Sequence, residues 1–271
     1  MKKSIGKYLL IFLISLAIFG FWGRKAVFPD PDAFYHAGMA KLLVENGVQK
    51  TFPYLQFTIL KDSFTDQHFL FHLLLIPGVY LAGLWGTKAT CIILSALFML
   101  IFAIILDKLE ISLFWLWPIL LTLTTAASFR LGLVKANSLS LIFLFLGIYF
   151  VHRKYYKRIF FLSFFYVWTY GGFPLLLGFS RRIKAFLIIL SGLLLGFVLS
   201  PYFPANMKFY WNQLVQIGII NYQSKIGVGG EWYPYGLFNL LSGSIILSIF
   251  LLISLVIFFT SLKKLKTFSV S

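Results

Sequence analysis

The chain has 271 residues, of which 60% are hydrophobic, 20% aromatic and only 12% charged, and its mean hydropathy is +0.89. Soluble domains carry about 25% charged residues, so this composition excludes an ordinary soluble domain and indicates a membrane protein with several spans. The net charge of +16 is divided among short basic clusters between apolar runs. That pattern is typical of cytoplasmic loops, and we expect no nucleic-acid partner.

The first apolar run, residues 8–22, follows lysines at positions 2, 3 and 7. The residues that end the run, Phe19-Gly20-Phe21-Trp22, are too bulky for a signal-peptidase site. We therefore predict an uncleaved first span with its N-terminus in the cytoplasm. At about 20 residues per crossing, the chain has room for about seven or eight spans. We predict an all-α polytopic membrane protein that forms a single transmembrane domain over residues 1–271.

Residues 24–88 are more polar, and we predict that they form a large first outer loop with helices on the membrane surface. Asp32 can cap one such amphipathic helix. Residues 69–85 are apolar enough to cross, but a Pro-Gly pair and a further glycine interrupt them. Counting them as a span would also place the basic cluster at residues 152–158 outside. We therefore predict a surface position for residues 69–85.

The remaining apolar runs can be assigned so that every dense basic cluster faces the cytoplasm. Residues 159–179 have Tyr170-Gly171-Gly172-Phe173-Pro174 at their centre, which allows a hairpin of two half-spans. The other predicted spans are residues 89–106, 113–128, 139–151, 185–199 and 240–260, with a second outer loop over residues 201–239. This topology predicts a multi-pass protein of the plasma (inner) membrane whose acidic residues lie mainly on the extracytoplasmic side.

Acidic and imidazole side chains are concentrated in two short motifs of the predicted first outer loop. The chain has eight carboxylates and four histidines, and residues 30–36 and 62–72 contain four of the former and three of the latter. In the first motif, Asp30 and Asp32 flank a proline, and His36 lies one helical turn after Asp32. Two nearby carboxylates either bind a hard divalent cation or shift each other's pKa so that one becomes a base. The alternative is a helix cap at Asp32 and a solvated turn at Asp30.

The second motif has a spacing of four between Asp62 and Asp66 and again between His68 and His72. Two histidines four apart on a helix form the face of a zinc site, but apolar residues occupy the position of the usual glutamate base. A metal-dependent membrane hydrolase that uses these four residues is one alternative function. For His72 the competing interpretation is an ordinary side chain at the membrane interface.

The first motif, Asp30-Pro31-Asp32-Ala33-Phe34-Tyr35-His36, follows a signal-anchor span and resembles the first outer-loop motif of GT-C superfamily membrane glycosyltransferases. The likeness is to the catalytic subunit of oligosaccharyltransferases and its bacterial relatives, of which this chain looks like a short or truncated form. The second motif, residues 62–72, resembles their second acidic element. The resemblance covers roughly residues 1–180 as architecture and is specific only in the two motifs.

This resemblance implies a hexosyltransferase that moves a sugar from a polyprenyl-phosphate or polyprenyl-diphosphate donor to an acceptor on the outer membrane face. It implies that Asp32 is the first-loop acid, with Asp30 in support and His36 and Asp66 as further catalytic candidates. Lys88 is similar in position to a basic residue near the donor phosphate. The resemblance also implies a divalent cation, Mg²⁺ or Mn²⁺. Its ligands would be drawn from Asp32, Asp62, Asp66 and His68.

Other residues could contact the donor. Arg130 and Lys135 lie on the predicted outer side and could meet its phosphate, although snorkelling at a span end explains them equally well. In the second outer loop a glycine run precedes a lone acid and aromatic rings, which suits a mobile loop that closes on a sugar. Those predicted substrate-binding residues are Glu231, Trp232, Tyr233 and Tyr235. Their alternative role is an aromatic belt at the membrane interface.

A non-catalytic polytopic membrane protein, such as a transporter or an assembly scaffold, is the second functional hypothesis. A transporter is expected to carry ionisable groups in the middle of its spans. Here the acidic residues lie in predicted loops, which favours the glycosyltransferase. The expected partners are thus a lipid-linked sugar donor and membrane lipids.

Overall fold

The computed structural model describes residues 2–220, 236–243, 245 and 248–256, and over these residues every regular element is a helix. The all-α part of the predicted fold is therefore confirmed for the described part of the chain. The α-helices are α1 (Lys2–Gly23), α2 (Asp32–Asn46), α3 (Phe69–Lys108), α4 (Leu116–Leu123), α5 (Thr125–Gly132), α6 (Asn137–Arg153), α7 (Tyr156–Val167), α8 (Leu175–Gly178), α9 (Ile183–Val198), α10 (Ala205–Tyr210) and α11 (Leu237–Ser242), with a 3-10 turn at Pro53–Leu55 and a π-helix at Trp211–Ile217.

Two of the described helices are long and apolar enough to cross a membrane, namely α1 over Ile5–Gly23 and α3 over Phe69–Lys108. Their mean hydropathies are 2.0 and 2.9. Helices α6 and α9 are also apolar, but with 17 and 16 residues they are shorter than the roughly 20 residues of a usual crossing. The chain therefore has helices that can cross a membrane, while about seven or eight spans stay a prediction.

Helix α3 is not straight, because its backbone leaves the helical conformation at Ala82 and Gly83. Gly83 has a φ of 55°, in the left-handed region that favours glycine. A Cβ on Gly86 would overlap the carbonyl oxygen of Gly78, although residues eight apart are separated by about 12 Å in a straight helix. The helix therefore folds back on itself into two arms, a first arm of residues 69–81 and a second arm of residues 84–108.

Residues 69–85, which were predicted to lie on the membrane surface, form the first arm of this hairpin and the turn into its second arm. In the first arm, Phe71, Leu75 and Val79 are buried in one cluster with Cys91 and Leu94 of the second arm. Alanines of α2 complete this cluster from the other side. Pairing the two arms buries these apolar side chains, and the position of residues 69–85 relative to the membrane stays a prediction. Gly78 of the first arm and Gly86 of the second arm allow the two backbones to approach closely.

Two contacts fix the direction of the second arm relative to α1. The Lys88 ammonium donates hydrogen bonds to the carbonyl oxygens of Lys25 and Val27, at 2.7 and 3.0 Å, just beyond the C-terminus of α1. At the other end of both helices, the Tyr8 hydroxyl donates to the Asp107 carboxylate. The two helices are therefore antiparallel, which is the direction predicted for residues 89–106. We call the Lys88 end of the bundle the site end and the Asp107 end the basic end.

The next helices run between these two ends. The predicted span at residues 113–128 is interrupted, because Thr124 is extended and separates α4 from α5. At the C-terminus of α6, the Arg153 guanidinium donates a hydrogen bond to the Lys108 carbonyl at the basic end. Arg181 and Arg182 line a pocket together with His152 and Lys154. The two dense basic clusters thus meet at one end of the bundle, as the charge pattern predicts.

The segment between these clusters reverses within the bundle. Helix α7 ends at Val167, and α8 then packs against α6, with Leu176 against Gly147. The Trp168 carbonyl accepts a hydrogen bond of 2.7 Å from the Leu70 N–H, which ties the reversal to the start of α3. The glycines and proline at residues 171–174 allow this tight turn. Residues 168–174 therefore lie at the site end.

Helices α7 and α9 pack closely through small residues. A Cβ on Gly192 would lie 2.5 Å from the Phe160 carbonyl oxygen and 2.9 Å from the Ser163 Cβ, and Gly196 faces the Phe164 carbonyl four residues later, so the two helices are parallel. Glycines four apart on one helix face let two backbones approach closely in an apolar environment. The pair holds the reversal between α7 and α8 in place, because the Trp168 indole also donates to the Gly196 carbonyl at 2.7 Å.

The Gly192→Ala variant is expected to lower the free energy of unfolding by about 1–3 kcal/mol, because overpacking at a backbone contact forces the helices apart. Thermal unfolding of the purified protein in detergent measures the change. Gly20→Ala is the matched control, since Gly20 also lies within a helix and a Cβ added there would meet nothing within 4 Å. Equal melting temperatures for the two variants would contradict the close packing of α7 and α9.

Candidate functional site

The first acidic motif is held together by a lysine from a distant part of the chain. Helix α2 begins at Asp32, and the Asp32 N–H donates to an Asp30 carboxylate oxygen at 2.9 Å. The loop between α5 and α6 places the Lys135 ammonium 2.8 Å from a carboxylate oxygen of Asp30 and 2.8 Å from one of Asp32. One ammonium therefore neutralises part of the charge of two neighbouring carboxylates.

The Lys135 contact sets the charge state of Asp30. Partial burial alone would raise the pKa of the Asp30 carboxyl, but the hydrogen bond and the charge of Lys135 outweigh burial and lower that pKa below its ordinary value. Burial would likewise lower the pKa of Lys135, whereas its hydrogen bonds to Asp30 and Asp32 raise it. Both groups are therefore ionised at neutral pH, and the three side chains form a stable charged cluster.

The second acidic motif forms a buried chain of hydrogen bonds with the first. One oxygen of the Asp66 carboxylate lies 2.6 Å from His72 Nδ1, and the other accepts the His68 N–H at 2.8 Å. The second nitrogen of His72, Nε2, lies 2.7 Å from His36 Nδ1. Asp66 and His36 are each 3% exposed and His72 is 0% exposed. The start of α3 and the first turns of α2 thus share one polar line.

Burial keeps two of these histidines neutral. Burial first, and then electrostatic coupling to His72, His68 and Lys135, lower the pKa of His36 far below its ordinary value. Burial and His72 also lower the pKa of His68, to about 4. Nδ1 of His68 is buried without a hydrogen-bond partner, and its ring lies against Tyr170 at 5.5 Å between centroids. Neutral imidazoles can act as proton acceptors at physiological pH.

These two motifs open into one cavity of about 730 Å³ at the site end of the bundle. The cavity lies between α2, the start of α3, the loop between α5 and α6, and the reversal at residues 170–178. This volume is within the range of ordinary small-molecule sites. The ionisable or polar side chains in its wall are Asp32, His36, Gln67, His68, Arg130, Lys135, Asn137, Tyr170 and Gln213.

Several predicted site residues meet in this cavity, and others do not. Asp32, His36 and Arg130 line it, whereas Asp66 lies behind His72 and reaches it only through the hydrogen-bonded line. Lys88 is buried against main-chain carbonyls and aromatic rings and does not line the cavity. The Lys88 ammonium instead holds the main chain that follows α1, and its predicted contact with a donor phosphate stays a prediction. The predicted residues Glu231, Trp232, Tyr233 and Tyr235 lie outside the described residues.

The predicted metal ligands are not brought together. Across residues 2–220 and the described parts of 236–256, no group of three or more His, Cys, Asp or Glu side chains is arranged to hold a metal ion. Asp62 is exposed in the turns before α3, Asp32 is paired with Lys135 and Asp66 with His72. His68 precedes the first residue of α3, so His68 and His72 do not form the helical zinc face that their spacing predicts.

Sequence reasoning missed two features of this site. His72 joins Asp66 to His36, although it was expected either in a zinc face or at the membrane interface. Lys135 was expected to meet a phosphate or to snorkel at a span end, whereas it bridges the two first-motif acids. The scarcity of carboxylates was the available signal, because a chain of this low charge rarely buries an acid without a basic or imidazole partner.

Acid is expected to destabilise the protein through His36 and His68. A histidine in the unfolded chain has a pKa of about 6.5, whereas the pKa of folded His68 is about 4 and that of His36 is also lowered. Between these values the unfolded state binds more protons, so the free energy of unfolding falls as pH drops below about 6.5, by up to about 1.4 kcal/mol per pH unit for each histidine.

Denaturation in detergent at several pH values, from about 8 down to about 4.5, measures this dependence. The His68→Gln variant should lose part of the slope, whereas His152→Gln should keep it, because His152 is exposed at the basic end. A slope that is the same in all three proteins would contradict the burial of neutral imidazoles.

Comparison of the chain with protein-family models, with curated proteins and with solved structures gives no match.

Proposed function

We propose that this protein is an integral membrane glycosyltransferase of the GT-C type, which moves a hexose from a polyprenyl-phosphate or polyprenyl-diphosphate donor to an acceptor. The observation that supports the proposal is the cavity at the site end, where a carboxylate, an imidazole and two basic side chains from separate segments meet. These are Asp32, His36, Arg130 and Lys135. Transfer from a lipid phosphate needs this combination of cations and proton acceptor.

Each group has a role in the proposed transfer. The ammonium of Lys135 and the guanidinium of Arg130 would bind the donor phosphate and stabilise the negative charge on the leaving phosphate. Asp32 has a side chain that is 49% exposed, so its second oxygen can accept a hydrogen bond from a sugar or acceptor hydroxyl. Gln67 and Asn137, also in the wall, add neutral groups that can bind hydroxyls.

The proposed membrane topology follows from the charge distribution. The basic end carries residues 152–158 and 181–184, which the positive-inside rule assigns to the cytoplasm. The site end would then lie at the extracytoplasmic face of the plasma membrane, where a lipid-linked sugar can reach the cavity from the bilayer. A multi-pass chain of about seven or eight spans, including half-spans, is part of this proposal.

The proposal also includes a divalent cation, but one held by fewer protein ligands than the sequence predicts. The cavity offers the half-exposed carboxylate of Asp32 and amide oxygens in its wall, and the donor phosphate would supply the other oxygen ligands that Mg²⁺ prefers. The cation would then help to neutralise the leaving phosphate. Rates measured with Mg²⁺ and with excess chelator distinguish a metal-assisted transfer from one that relies on Lys135 and Arg130.

Transfer assays test the proposed function directly. Purified protein in detergent is incubated with undecaprenyl phosphate linked to radiolabelled glucose, galactose or mannose and with a detergent extract of cell envelopes as the source of acceptor, and movement of label from the lipid to the acceptor fraction is followed. Asp32→Asn is expected to lower the rate by about 10- to 100-fold, the effect of losing a charged hydrogen bond of about 1.5–3 kcal/mol.

Glu45→Gln is the matched control for this charge change, because Glu45 is exposed near the end of α2. It should retain the wild-type rate. An unchanged rate in Asp32→Asn would remove Asp32 from the site. Absence of transfer from all three donors and from their diphosphate counterparts would contradict the proposed function itself.

A further inference from the structure

Asp66, His72 and His36 form an unbroken line of polar atoms from a buried carboxylate to the cavity wall. The two steps in this line measure 2.6 Å from Asp66 to His72 and 2.7 Å from His72 to His36. His36 is the member that lines the cavity. The first acidic motif and the second are therefore connected by hydrogen bonds, and the line ends where a substrate would bind.

Hydrogen-bond chemistry determines the positions of the protons when both imidazoles are neutral. The ionised Asp66 carboxylate can only accept, so His72 carries its proton on Nδ1. His72 Nε2 is then the acceptor of a hydrogen bond that His36 Nδ1–H donates. This assignment follows from the hydrogen-bond network, and it leaves His36 Nε2 as the nitrogen with a free lone pair.

We propose that this line is a proton relay and that His36 Nε2 takes the proton from the acceptor during transfer. Asp66 and His72 are positioning residues that fix the tautomer of His36 and receive the charge. The proposal rests on the proposed function and deepens it, because a base of this kind indicates an acceptor with a neutral hydroxyl group. An acceptor that is already anionic would not need the relay.

The step is balanced without any further reactant. The acceptor hydroxyl gives its proton to His36 Nε2, its oxygen forms a bond to the anomeric carbon, and the bond between that carbon and the donor phosphate oxygen breaks. The electron pair of the broken bond leaves with the lipid phosphate. His36 passes its Nδ1 proton to His72 Nε2, so the positive charge comes to lie beside the Asp66 carboxylate. The relay regains its starting protonation state when the extra proton passes to the released phosphate or to water.

The relay explains how a buried, neutral histidine can accept a proton. His36 is surrounded by His72, His68 and Lys135, so a positive charge on its own ring is costly. Exchange of tautomers leaves His36 neutral before and after the step, while His72 carries the charge next to its carboxylate. Asp32 is less suited to this task, because Lys135 already occupies one of its oxygens at 2.8 Å.

Histidine tautomers provide a test that does not depend on sugar transfer. Protein labelled with ¹⁵N-histidine is studied in detergent micelles by two-bond ¹H–¹⁵N correlation near neutral pH, with His36→Gln and His72→Gln to assign the signals. We expect the Nδ1–H tautomer for both His36 and His72. In Asp66→Asn the new side-chain amide can donate to His72 Nδ1, so this variant should convert both rings to the Nε2–H tautomer. A neutral His36 with its proton on Nε2 in the wild type would overturn the relay.

Transfer assays then separate a relay from a purely structural contact. With radiolabelled undecaprenyl phosphohexose as donor and the cell-envelope extract as the source of acceptor, Asp66→Asn and His36→Gln should lower kcat by about 10²–10⁴-fold, with KM nearly unchanged and melting temperature retained. Mixtures of H₂O and D₂O should give a curved dependence of the wild-type rate, because two protons move together. Glu45→Gln should match the wild type.

The outcomes distinguish the relay from the proposed function. If hexose is transferred and His36→Gln retains the wild-type rate, the relay is wrong and the proposed function stands. If the wild type transfers no hexose although both rings show the Nδ1–H tautomer, the proposed function is wrong and the hydrogen-bonded line has another use.

Discussion

His72→Phe is expected to lower the free energy of unfolding by at least about 3 kcal/mol, because a buried carboxylate loses the donor of a charge-assisted hydrogen bond. The Asp66 carboxylate is 3% exposed, and its two hydrogen bonds are those to His72 Nδ1 and to the His68 N–H. Without His72, one oxygen of a buried carboxylate loses its donor. Phenylalanine keeps most of the ring volume, and it can still pack against Tyr35 and Phe71 as His72 does.

A double variant separates the polar loss from a packing defect. When both members of a buried pair are replaced by apolar groups, no orphaned charge remains and the cost is small. Asp66→Leu combined with His72→Phe should therefore recover most of the stability that His72→Phe loses. Denaturant or thermal unfolding in detergent measures all three proteins. A single variant as stable as the wild type would contradict the buried pairing of Asp66 with His72.

Lys135→Met is expected to lower kcat/KM for transfer by about 10²–10³-fold. The ammonium contacts Asp30 and Asp32 at 2.8 Å each and lines the cavity. Its loss removes a positive charge from the proposed phosphate position and leaves two neighbouring carboxylates that repel each other and the phosphate. Both changes act in the same direction, so the effect should exceed that of neutralising Asp32 alone.

Two further variants identify the origin of this loss. Lys157→Met removes the same charge from an exposed position at the basic end and should leave transfer unchanged. Asp30→Asn combined with Lys135→Met removes the repulsion but does not restore the missing charge, so recovery should be partial. Full recovery would show that Lys135 serves only to pair the two acids, and it would contradict a contact with phosphate.

The large-scale arrangement was predictable because it depends on solvation. Apolar runs and basic clusters indicate correctly that the second arm of α3 runs antiparallel to α1 and that residues 152–158 and 181–184 meet at one end. The same patterns predict that the first acidic motif and Arg130 lie on one side of the membrane, and in the structure both line one cavity. Each of these features reflects the cost of burying charge, which the sequence pattern records directly.

Close backbone contacts were not predictable in the same way. Gly78 and Gly83 weaken the case for a continuous span, but the pattern does not tell a surface segment from a hairpin in which Gly78 touches Gly86. The spacing of His68 and His72 predicted a shared helical face, but this too depends on backbone detail that the sequence pattern does not show. His68 precedes α3 whereas His72 lies within it, so their rings are 6.1 Å apart at an angle of 77°. One ring turns to the cavity and the other to Asp66.

The reversal between α7 and α8 limits which positions of the cavity wall can change the ligand that the cavity binds. One wall of the cavity consists of main chain and small residues, including Gly171, Gly172 and Pro174. A Cβ on Gly171 would lie 2.9 Å from the Gln67 side-chain oxygen, so an alanine there requires the end of the Gln67 side chain to shift. Backbone amides and carbonyls keep their chemistry whatever the side chain. Changes of specificity would therefore arise on the facing wall, at positions such as Gln67 and Asn137, while the glycine wall stays constant.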